Sequence, residues 1–186
     1  MKQILTYPNP ILREKTLVVE KVDVDLIAEI KELTEILIAT ENTAAGLAAT
    51  QIGLKRRFFG LKVGKKNKVE IFLNPKITKT DGKKIYPMMV FDDGKKENFL
   101  EGCLSFPNLF GTVKRWLKIE VEWEEIKRGK LIKKKKVMEG FEAIVFQHEA
   151  EHLEGILFID HIKEEGGELY RFEGEKKKPV DVNDIM

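Results

Sequence analysis

Gln147-His148-Glu149-Ala150-Glu151-His152 is the segment of this chain best equipped for chemistry. Residues four apart share one face of an α-helix, so His148 and His152 can each offer a ring nitrogen to a single metal ion. Glu149 would project beside that ion, where a carboxylate can act on a bound water. The chain has 3 histidines, and two of them occupy this frame. The same pattern also occurs as two histidines on a helix surface, but the flanking Ile144, Val145 and Phe146 point to a buried helix.

A catalytic metal site usually takes three protein ligands and keeps one position open. Downstream of the helix stand His161, Glu164, Glu165 and Glu168, none in the spacing of the extended HExxH metalloprotease motif. Upstream stands Cys103, the only cysteine, in Glu101-Gly102-Cys103-Leu104-Ser105. A lone cysteine is most often a small buried hydrophobe. Gly102 and Pro107 bracket a turn here, however, and a turn can aim a side chain at a site. One thiolate with two imidazoles would suit zinc, iron or nickel alike. Glu101 would either orient a ligating histidine or lie in solvent.

These residues need elements to hold them. Leu26, Ile27, Ile30, Leu33, Ile36 and Leu37 recur at helical spacing, predicting a helix from Asp23 to about Thr40 with Asp23 or Asp25 as N-cap. A second helix is expected from about Phe141 to Glu154, stopped near Gly155. Arg56–Val63 and Lys68–Ile77 read as strands joined by a turn at Gly64-Lys65-Lys66-Asn67. Lys118–Ile126 and the segment from Lys130 form a hairpin about Arg128-Gly129. The lysine run 133–136 fits the wet face of an edge strand better than a nucleic-acid site, because glutamates dilute its field. Residues from Glu164 onward are rich in Lys, Glu and Gly, and a frayed tail is expected there.

Composition narrows the function classes. At 186 residues the chain can bury one full core without disulfide staples. With 33 basic against 31 acidic side chains, the net charge of +2 is not that of a nucleic-acid or polybasic membrane protein. A single cysteine excludes an intramolecular disulfide scaffold. No run of about 18 apolar residues is available to span a membrane. The opening MKQILTYPNPILREK lacks the apolar stretch of a secretion signal, so a cytoplasmic protein is expected.

Three segments together resemble the peptide deformylase family: Gly46-Leu47-Ala48-Ala49-Thr50-Gln51, Glu101-Gly102-Cys103-Leu104-Ser105 and Gln147-His148-Glu149-Ala150-Glu151-His152-Leu153-Glu154-Gly155. The opening Tyr7-Pro8-Asn9-Pro10 is similar too, and the likeness runs to about residue 163. The resemblance implies an α+β fold, antiparallel sheets around a central metal-binding helix, with a catalytic domain over 1–163 and a charged tail over 164–186. It implies hydrolysis of the formyl group from the N-terminal formyl-methionine of new polypeptides. Cys103, His148 and His152 would hold one divalent metal per chain, Fe²⁺ natively, with Zn²⁺, Ni²⁺ or Co²⁺ in purified protein. Glu149 would be the general base, and the Gln51 amide with the Leu104 N–H the oxyanion donors.

The backbone at Gly46 would carry the peptide, or simply form a tight turn. Phe141, Ile144 and Val145 flank His148 on the helix and would either line a methionine pocket or pack in the core. Partners implied are N-formyl-methionyl nascent peptides, with possible ribosome proximity and a monomeric enzyme. The chain departs from the family at Ala44, Thr43, Phe110 and Glu151. Two other classes stay open on the motif alone: a zinc endopeptidase with a third ligand other than Cys103, and a non-enzymatic binding module of the same fold.

Overall fold

The structure, a computed structural model, describes residues 2–41, 43–64, 68–174 and 176–186. Helix α1 spans Val24–Ala39, and Asp23 caps it by accepting from the Leu26 N–H at 2.8 Å. Arg56 grips the same carboxylate at 2.6 and 3.2 Å, which ties the helix start to the strand that follows. Strands β1 (Gly46–Ala48), β2 (Phe58–Val63), β3 (Lys68–Thr80), β8 (Lys118–Lys127) and β9 (Lys130–Glu139) form a five-stranded antiparallel sheet in the order β1-β2-β3-β8-β9. Part of the turn expected at 64–67 lies outside the described residues.

Alternation along β2 explains why this sheet is covered on both faces. Phe58 packs with Leu26, Leu33 and Leu37 of α1. Phe59 and Leu61 turn the other way, toward Phe72, Trp123 and Phe146. Phe146 belongs to helix α2, Gly140–His152. Its ring stands edge-on to Phe59 and Phe72, with centroids at 5.1 and 5.5 Å. Each such aromatic pair adds roughly 0.5–1.5 kcal/mol beyond the area it buries.

The β8–β9 hairpin turns on Arg128 and Gly129, both at positive φ, as a tight two-residue connection requires. Its outer strand β9 is the sheet edge and carries the exposed lysines 133–136. Lys134, Lys135 and Lys136 pair with Glu125, Glu120 and Glu142.

A second sheet is built from β6 (Glu101–Cys103), β7 (Phe106–Gly111), β10 (Leu169–Glu173) and β11 (Lys176–Val180), in the order β11-β10-β7-β6. Helix α3, Phe158–Glu165, packs Phe158 and Ile162 against Leu109 and Leu169 of this sheet. The frayed tail expected from residue 164 is therefore a hairpin paired to β7. Leu169 is buried against α3, and the two strands register from Leu169↔Val180 to Glu173↔Lys176. A high density of charge hid the alternation of buried and exposed positions in this segment. Between β3 and β6 lies a small hairpin that periodicity did not reveal, β4 (Met88–Val90) with β5 (Lys96–Asn98).

The architecture is α+β, with antiparallel sheets around α2 and with α1 on the outside. No helix among the described residues is long and apolar enough to cross a membrane.

Candidate active site

Strand β1 ends one sheet and β6 ends the other. A cavity of about 480 Å³ opens between them, lined by Gly46, Gln51, Gly102, Cys103, His148 and Glu149 among others. Helix α2 brings the two histidine rings to 4.9 Å between centroids. The turn between β6 and β7 delivers the thiol, with Cys103 Sγ 3.3 Å from His152 Nε2. One ligand atom from each of Cys103, His148 and His152 lies within 4.8 Å of the others. His161, Glu164, Glu165 and Glu168 do not join this group. His161 instead faces Glu151 and Glu165 at 3.0 and 3.3 Å.

His148 Nδ1 lies 3.0 Å from Glu101 Oε2, so its other nitrogen is the one left to face the cavity. Glu101 is 4% exposed, which decides between its two expected roles in favour of orienting the imidazole. Arg115 holds it in place and is itself fully buried. Its Nε and Nη2 donate to the two Glu101 oxygens at 2.7 and 2.9 Å, and its Nη1 donates to Glu151 Oε1 at 2.6 Å. Burial pushes the Glu101 carboxyl up, but Arg115 and His148 outweigh it and hold it at about 2. Sequence reasoning missed Arg115. One arginine among 33 basic residues has no spacing signal, and its nearest cue is that it sits between apolar Val113 and Trp116.

Glu149 has no such support. A Cβ on Gly46 would come within 2.5 Å of its Oε1, so only glycine lets β1 lie against this carboxylate. Its Oε2 is buried and has no hydrogen-bond partner among the described residues. Burial, against the pull of His148, pushes its pKa up to about 7. That is the range in which a carboxylate exchanges protons at neutral pH. Gln51 is 2% exposed; its Oε1 accepts from the Ala48 N–H at 2.9 Å, which turns its NH₂ toward Cys103 Sγ at 3.4 Å and Ser105 Oγ at 3.2 Å. Leu104, Phe141, Ile144 and Val145 line the same cavity, joined by Phe99 and Phe106, which sequence reasoning did not single out. Phe99 stands edge-on to Phe141 at 5.9 Å. Thr43, Ala44 and Phe110, where the chain departs from the family pattern, line it too.

A soft thiolate donor, two imidazoles and an unpartnered carboxylate at the floor of an apolar cleft are the equipment of a metal-dependent hydrolase. Residues 1–167 match the family described as polypeptide deformylase. The peptide deformylase of Thermotoga petrophila is 35% identical over 162 residues, 87% of this chain and 87% of that protein. The one from Desulforudis audaxviator is 37% identical over 163 residues, 85% of this chain and 91% of that protein. Among solved structures, the peptide deformylase from Thermotoga maritima superposes with a TM-score of 0.69 at 34% identity, over 87% of this chain and 97% of that one. The Plasmodium falciparum enzyme in complex with an inhibitor gives 0.71 at 28% identity, over 88% and 91%. The chain belongs to the polypeptide deformylase family, metal-dependent hydrolases that remove the N-formyl group from newly made polypeptides.

The buried ion network yields a prediction about stability. Arg115→Met should lower the unfolding free energy by about 3–5 kcal/mol, because it strands the buried Glu101 carboxylate and takes a partner from the half-buried Glu151. Urea titration checks this. A loss below about 1 kcal/mol would mean that water reaches Glu101 and Glu151 once the guanidinium is gone.

Proposed function

We propose that Cys103, His148 and His152 hold one divalent metal and that Glu149, Gln51 and Leu104 carry out deformylation beside it. The observation that carries this reading is the convergence of three ligand atoms within 4.8 Å, next to a buried carboxylate with an unpartnered oxygen. The residues fit such an ion: one thiol and two imidazoles converge, and one imidazole is already oriented from behind by Glu101. A divalent ion held there acts as a Lewis acid and lowers the pKa of a water molecule.

Glu149 takes a proton from the water that attacks the formyl carbon. Its carboxyl at about 7 then returns that proton to the amine nitrogen as the C–N bond breaks, leaving formate and a free N-terminus. Negative charge develops on the formyl oxygen as the carbon becomes tetrahedral. Fixed donors are best placed where that charge appears. The Gln51 NH₂, held by its own Ala48 bond, and the Leu104 N–H serve as those donors. Phe141, Ile144 and Val145 accept the methionine side chain, and the backbone at Gly46 aligns the peptide.

We assign Fe²⁺ as the native ion, with Zn²⁺, Ni²⁺ or Co²⁺ able to replace it; iron beside a thiolate makes the enzyme oxygen-sensitive. We take residues 1–163 as the catalytic domain, to which the C-terminal hairpin is added. The enzyme acts as a monomer in the cytoplasm, close to the ribosome, where formylated chains emerge.

Glu149→Gln should keep the metal and lose turnover, since glutamine matches the size of glutamate and cannot accept the proton. Formate release from a formyl-Met peptide, measured anaerobically with metal content, checks this. Near-normal release would remove Glu149 from the base role.

Gln51→Ala should lower kcat by roughly 10²-fold or more with KM little changed, because its amide meets charge only in the transition state. A rise in KM alone would make Gln51 an ordinary binding contact.

A further inference from the structure

The contacts behind His148 do not stop at Arg115. His161 on α3 lies beyond Glu151, with its Nε2 3.0 Å from the same Oε1 that Arg115 holds. Its Nδ1 lies 3.3 Å from Glu165 Oε1. Both ring nitrogens therefore face carboxylate oxygens, and an ionised carboxylate only accepts. A neutral imidazole has one N–H and one lone pair, and would turn that lone pair on one of the two carboxylates. The geometry suits the imidazolium, which carries a hydrogen on each nitrogen.

The surrounding charges favour the same form. Glu151 on α2 raises the imidazole pKa above its ordinary 6.5 against burial, with Arg115 opposing and Glu165 assisting. Lys84 and Lys114 stand one step further out and are bound to Glu165, at its Oε1 and its carbonyl, at 2.8 and 3.1 Å.

Glu151 is the weak point of this network. Its Oε2 is buried without a hydrogen-bond partner among the described residues, so its compensation rests on what reaches Oε1. Arg115 donates once there and twice to Glu101. With the imidazolium alongside, Glu151 makes a smaller demand on the guanidinium. Without it, the guanidinium is drawn off the Glu101 carboxylate that orients His148.

We propose that His161 is a positioning residue for the metal centre: as an imidazolium it shares Glu151 with Arg115, keeps the guanidinium seated on Glu101 and so fixes the ring of His148. This rests on the ligand assignment proposed above. Removing the group directly behind a ligating histidine costs on the order of 10- to 100-fold in metal affinity; His161 acts from three contacts further back, and roughly 3- to 10-fold is expected.

The test is the rate at which Ni²⁺-loaded protein loses its metal to excess EDTA. At about pH 6.5, below the raised pKa, His161→Gln should lose nickel roughly 3- to 10-fold faster than the wild type. The advantage of the histidine is lost as pH rises through the raised pKa, so the two rates should converge at high pH. His161→Lys keeps a cation on a flexible stem. It should match the wild type at low pH and become the slower of the two to release nickel as pH rises, a comparison that holds even if His161→Gln does not fold. With Glu151→Gln already in place there is no carboxylate to share, and His161→Gln should add nothing further. Equal rates for wild type and His161→Gln, a ratio constant with pH, an undiminished effect of His161→Gln beside Glu151→Gln, or coincident curves for wild type and His161→Lys would overturn the inference. Failure of the underlying ligand assignment looks different: Cys103→Ala would then hold nickel as firmly as the wild type.

Discussion

A helix that carries Gln147, His148, Glu149 and His152 into the interior must find a partner for each, because a buried polar group left unbonded costs about 1–3 kcal/mol. Much of the molecule around α2 is arranged to meet that demand. Gln147 brackets the Trp116 backbone, donating to its carbonyl at 2.8 Å and accepting from its N–H at 3.2 Å. His148 is answered by Glu101, and Glu101 by Arg115, which also reaches back to Glu151 on the same helix. The β6–β7 unit is thereby locked against α2 by charge as well as by packing. The Thr50 hydroxyl donates to the His152 carbonyl at 3.3 Å, which ties the helix end to the segment following β1.

Two of the exceptions lie at the reacting centre. Glu149 Oε2 and His152 Nδ1 stay buried and unpartnered within the described residues, as does Glu151 Oε2 on the same helix. The contrast in environment separates two carboxylates by function: Glu101, clamped by a guanidinium, is held at about 2, and Glu149, packed against glycine, rises to about 7. The first keeps its charge at all physiological pH and serves as a fixed orienting group. The second can give and take a proton. The glycines at 46 and 102 serve the same end, since each clears the space that a catalytic or cavity-lining side chain then fills.

Residues whose roles follow from local spacing were legible in the sequence. His148 and His152 four apart, Asp23 ahead of an apolar-periodic helix and Arg128-Gly129 between two alternating strands each announce their structure within a few positions. The lysines 133–136 were also legible as an edge, because glutamates stand close by in the sequence, and in register Glu124 and Glu122 lie opposite Lys133 and Lys135. The partnership of Arg115 with Glu101 and Glu151 was not, since it joins positions 14 and 36 residues apart and leaves no periodic trace. Nor was the C-terminal hairpin, whose apolar Leu169 and Phe172 gain meaning only once β7 and α3 are in place beside them. Local pattern thus reveals ligands and caps, whereas the shell that orients them is a product of tertiary approach.

The central claim is that the thiol of Cys103 and the imidazoles of His148 and His152 form one metal centre. Element-specific X-ray absorption on protein purified without oxygen tests it most directly. The account predicts one metal per chain, with one sulfur and two imidazole nitrogens in its first coordination shell. A shell built of nitrogen and oxygen alone would contradict it.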